Sequence, residues 1–75
     1  MNEYIWRTVR TLLDEAWNAF NCANTWTMER NTDKAQGVLE FMKKNYKNPK
    51  AEEHIRTVDA EIDRLWTKRN NCFSW

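Results

Sequence analysis

Seventy-five residues, with 12 basic and 11 acidic side chains and a net charge of +1, bound the chain to one small domain, residues 1–75. Such a balance exerts no global pull toward nucleic acid or an anionic membrane, and it excludes a strongly acidic nucleic-acid mimic. One glycine and one proline leave little room for turns, and no long stretch alternates apolar and polar residues, so the composition suits long helices joined by short loops.

The first predicted helix spans about residues 2–30. Ile5, Val9, Leu12, Ala16, Ala19 and Ala23 recur at spacings of four and three, and Leu13, Trp17 and Phe20 widen that stripe. The opposite face carries Glu3, Arg7, Asp14, Asn18 and Asn21. This helix has more apolar surface than one neighbour can cover. A break is expected at Asn31-Thr32, where either residue is a good N-cap and Asp33 would sit favourably in the first turn. The second helix then covers about residues 33–46 and buries Ala35, Val38, Leu39, Met42 and Tyr46. Gly37 lies inside it, either to permit a close crossing or as a weak point in the helix.

Asn48-Pro49 marks the clearest boundary, because Asn caps well, Pro suits the first helical position and the residue before Pro avoids helical geometry. The third helix spans about residues 49–70. Ala51, Ile55, Val58, Ile62 and Leu65 form a heptad seam, with Trp66 and Phe73 along one edge. Short loops force neighbours antiparallel, which predicts an all-α, antiparallel three-helix bundle. With these boundaries the second helix is about half as long as the first. The bundle is then long-short-long, and the uncovered end of the long pair invites completion by homodimerisation.

Five tryptophans exceed what a core of this size needs. A chain this short buries only about 60% of its unfolded surface. Trp6 and Trp17 stand three turns apart on one side of the first helix, beside Arg10, and this aromatic-plus-Arg strip suits a helix-packing interface. The competing reading packs the same strip on the second or third helix. Trp75, the final residue, has no seam to join by periodicity. Arg69 falls on the heptad line after Leu65, where a cation must find a carboxylate, snorkel out or meet a partner. Trp6, Arg10, Trp17, Arg69 and Trp75 are therefore the candidate partner-binding residues.

Lys43, Lys44, Lys47 and Lys50 gather at one end and are the candidate nucleic-acid contacts. Glu3, Glu52 and Glu53 partly cancel them, and cations at a helix C-terminus already favour its dipole. Cys22, His54 and Cys72 each stand alone, without metal-ligand spacing, and no metal or cofactor is expected. His54 and Glu61 share one edge of the third helix, but no catalytic motif accompanies them. Nothing approaches a membrane span, and Met1-Asn2-Glu3-Tyr4 carries an acid where a signal peptide carries cations, so a cytoplasmic protein with reduced thiols is expected.

These features lead to a non-enzymatic helical protein that binds a protein partner, a second copy of itself, or both. Its size and style suit inhibitors and adaptors of the kind encoded by phages and mobile elements, including anti-defence factors. The alternatives are a nucleic-acid accessory protein using the lysine end and a purely structural homo-oligomer.

Overall fold

The structure, a computed structural model, describes the backbone of residues 2–73 and the side chains of residues 2–72. It contains three helices, α1 (Glu3–Asn21), α2 (Thr25–Asn45) and α3 (Pro49–Phe73), and no strand among the described residues. The fold is the expected all-α three-helix bundle.

Its first turn is not where the sequence placed it. The chain reverses at Cys22–Asn24, about two helical turns before Asn31-Thr32. Ala23 takes a left-handed conformation with φ of 59°. Its N–H bonds to the Phe20 carbonyl at 3.0 Å, and the Asn24 N–H reaches back to the Ala19 carbonyl at 2.8 Å. These two bonds form a Schellman closure, with alanine in the position that usually holds glycine. Asn24 then starts the next helix, its side chain accepting the Thr27 N–H at 3.2 Å. One residue closes α1 with its backbone and opens α2 with its side chain.

Asn31 and Thr32 are instead buried midway along α2. The Thr32 hydroxyl donates to the Met28 carbonyl at 2.7 Å, so it is satisfied inside the helix and caps nothing. The correction changes the proportions. The helices have 19, 21 and 25 residues, so the long-short-long expectation fails and no long pair is left bare at one end.

The second boundary stands as read. Pro49 opens α3, and the Asn48 side chain accepts the Ala51 N–H at 2.9 Å. The helix continues to Phe73, past the expected end near residue 70.

Ion pairs mark the helix directions. Lys43 meets Asp59 at 3.9 Å and Glu29 meets Arg69 at 2.7 Å, which sets α2 antiparallel to α3. Trp6 lies on His54 and Arg10 on Glu61, which sets α1 parallel to α3. The core joins Val9, Leu13, Ala16 and Ala19 of α1, Met28, Ala35, Leu39 and Met42 of α2, and Val58, Ile62 and Leu65 of α3. Burying one of the larger members stabilises the fold by about 1.5–3 kcal/mol. The alanines let α1 and α2 come closest, while α1 and α3 stand further apart. That wider gap is filled by the long side chains of Trp6, Arg10 and Trp17.

Candidate functional site

The strip selected from the sequence lies in the α1–α3 seam. The Trp6 ring stacks on the His54 ring with centroids 4.2 Å apart and an interplanar angle of 17°. The Arg10 guanidinium lies 5.8 Å from the Trp6 centroid, 3.5 Å from Asp14, and against Glu61. Glu61 is buried despite its charge. Its carboxylate accepts from both terminal nitrogens of Arg10 and, at 3.2 Å, from the Trp17 indole N–H. Three donors make a buried carboxylate tolerable where an unpaired one would cost several kcal/mol. Trp17 also sets its ring edge-on to Phe20 at 6.1 Å. Trp6, Arg10 and Trp17 are thus engaged inside the chain, half-buried rather than presented whole. Although His54 and Glu61 share one edge of α3, each turns to α1, His54 to Trp6 and Glu61 to Arg10 and Trp17.

Arg69 finds the carboxylate its seam position required, Glu29 at 2.7 Å, although its Nε is buried without a hydrogen-bond partner among the described residues. Trp75 lies outside the described residues. At the lysine end, Lys43 is drawn to Asp59, and Lys44, Lys47 and Lys50 are exposed. Arg7 pairs with Glu3 at 3.0 Å and Arg10 turns inward to Glu61, so neither adds free positive charge there. Cys22 and Cys72 are free and exposed, and no three metal-type ligands cluster among the described residues. Among the described residues no helix is long and apolar enough to cross a membrane.

The surface that sequence reasoning missed is the outer side of the α1–α2 pair, away from α3. A groove of about 390 Å³ is lined by Ile5, Leu12, Lys34, Gly37, Val38 and Phe41. Leu12 joins it to a second depression lined by Tyr4, Arg7, Thr8, Thr11 and Glu15. Tyr4 is 73% exposed and Phe41 47% exposed, with the Phe41 ring steadied edge-on against Tyr46 at 6.3 Å. Gly37 is on the open side of α2, and a Cβ there would meet no atom within 4 Å. A helical glycine costs about 1 kcal/mol relative to alanine, and here it serves no crossing within the chain. Trp26, 67% exposed, carries the Arg30 guanidinium 5.2 Å from its ring centroid. The sequence held one usable signal for this face. Ile5 and Leu12 lie on the flank of α1 turned away from Trp6 and Trp17, and Gly37 interrupts a helix without ending it.

Comparison with protein-family models, with curated proteins and with solved structures finds no match.

Proposed function

We propose that this chain is a non-enzymatic binding protein, an inhibitor or adaptor that engages another polypeptide through the outer face of α1 and α2. The observation that carries the reading is exposed Phe41 on a groove otherwise lined by apolar residues and Lys34 alone, with exposed Tyr4 in the depression beside it. Aromatic side chains around an apolar hollow are the usual composition of an interface hot spot. On this reading the contact falls on the side of α1 away from Trp6 and Trp17, which are occupied by His54, Phe20 and Glu61. Trp26 with Arg30 is a second exposed aromatic on the same helix as Phe41.

The test compares capture from the native host by the wild-type chain and by a Tyr4→Ser, Phe41→Ser double variant. Both positions are exposed, so the fold should survive, and circular dichroism checks it. A protein held by the wild type and lost by the variant supports the reading. Equal retention by both overturns it. A ligand lost only when Lys44, Lys47 and Lys50 are neutralised, with affinity falling steeply with salt, would favour nucleic acid instead.

A further inference from the structure

We infer that the polypeptide covering the α1–α2 face is a second copy of this chain, related by a two-fold axis parallel to the bundle, with α1 of each protomer lying on α2 of the other. This rests on the assignment of that face as the binding surface and names its occupant. The argument is one of self-complementarity. A two-fold interface uses the same patch twice, so every knob needs its hole, and every charge its counter-charge, on one face of one chain.

The α1–α2 face meets that condition level by level. Because α1 and α2 are antiparallel, Ile5 and Phe41 mark one end of the groove and Leu12 and Lys34 the other. An axis parallel to the helices keeps each level and exchanges α1 for α2. At the first level Tyr4 then falls on Phe41 of the second copy, joining two exposed aromatic rings that lack a mutual contact within one chain. In the middle, Thr8 passes over Gly37 of the second copy, where the absent side chain leaves open space.

At the far level the charges match. Glu15 shares a depression with Asn31, which sets it one residue from the level of Arg30 and three from Lys34. Among the described residues Glu15, Arg30 and Lys34 enter no ion pair of their own. Laid across the two-fold, Glu15 of each copy comes between Arg30 and Lys34 of the other, giving two equivalent clusters. The four helices then enclose Ile5, Leu12, Val38 and Phe41 from both copies. A standard interface takes roughly 800 Å² from each partner, about a sixth of the 5069 Å² that the bundle exposes.

Sedimentation equilibrium of the full chain over a range of concentrations is the test. The wild type should be a dimer. Glu15→Lys and Lys34→Glu, both at exposed positions, should each weaken association by about 10-fold or more, and the double charge swap should recover part of the loss, since it restores the pairing of positions 15 and 34 while Arg30 still faces a like charge. A chain that stays monomeric at every concentration overturns the second copy and leaves the binding face to be judged by capture. A dimer that survives both Phe41→Asp and the single charge reversals uses another surface, which overturns the inference and leaves the binding face to be judged by capture. A dimer weakened by each single reversal but not recovered by the double swap overturns the proposed pairing of α1 with α2.

Discussion

Ala23 is the only described residue with positive φ, and it occupies the position where a helix closure favours glycine. A side chain in the left-handed region costs about 1–2 kcal/mol, and glycine returns part of that gain through its freer unfolded chain. Ala23→Gly should therefore stabilise the protein by about 0.5–1 kcal/mol, read as a higher urea midpoint at unchanged slope. A destabilised variant would mean that the methyl group packs usefully. Glu61 makes the opposite case. Its carboxylate is the shared acceptor for Arg10 and Trp17, and Glu61→Ala strands both donors in a partly buried seam. The expected loss is about 2 kcal/mol, and Trp17→Phe, which removes one N–H, should cost about 1 kcal/mol. Because both changes break the same bond, the double variant should cost less than the two singles added. Strict additivity in denaturant titrations would argue against the shared acceptor.

The helices differ in how plainly their ends were written. Asn48-Pro49 combines a cap with a residue that cannot continue the preceding helix, and α3 starts there. The α1–α2 turn has neither glycine nor proline. Ala23 continues the apolar spacing of α1, so periodicity runs straight through a turn that backbone hydrogen bonds close. Asn31-Thr32 misled for the converse reason: a threonine that bonds to the carbonyl four residues back looks, in sequence, like a cap. The buried seam of α3 was legible, with Ala51, Val58, Ile62 and Leu65 all in the core and Ile55 half-buried. Gly37 is the weak point of α2 and touches nothing that a methyl group would displace. Gly37→Ala should raise the stability of the isolated chain by about 1 kcal/mol, or roughly 4–8 °C in Tm for a domain of this size. The measurement belongs at low protein concentration, where association does not contribute. No gain there would imply that α2 is strained at this turn.

For the molecule as a whole, the excess of aromatic side chains was readable but its destination was not. Helical spacing places Trp6, Arg10 and Trp17 on one flank of α1, yet it does not say whether that flank meets a neighbour or solvent. The outcome was set by helix spacing: α1 and α3 stand further apart than α1 and α2, and the long side chains of Trp6, Arg10 and Trp17 bridge the outer part of that gap. The close α1–α2 pair, by contrast, leaves its outer flank to residues that interrupt no pattern, among them Tyr4 and Phe41. If a second copy covers that flank, stability becomes a property of concentration, because unfolding then releases two chains from one dimer. Each tenfold rise in concentration adds about 1.4 kcal/mol per dimer. Spread over two chains of 75 residues, this should raise Tm by about 3–6 °C per decade. Glu15→Lys should flatten that slope over the same range while preserving the helical signal, because Glu15 enters no ion pair within the described chain. Calorimetric scans at three concentrations decide the matter. A wild-type Tm independent of concentration would refute the coupling, and a slope unchanged by Glu15→Lys would place the contact elsewhere.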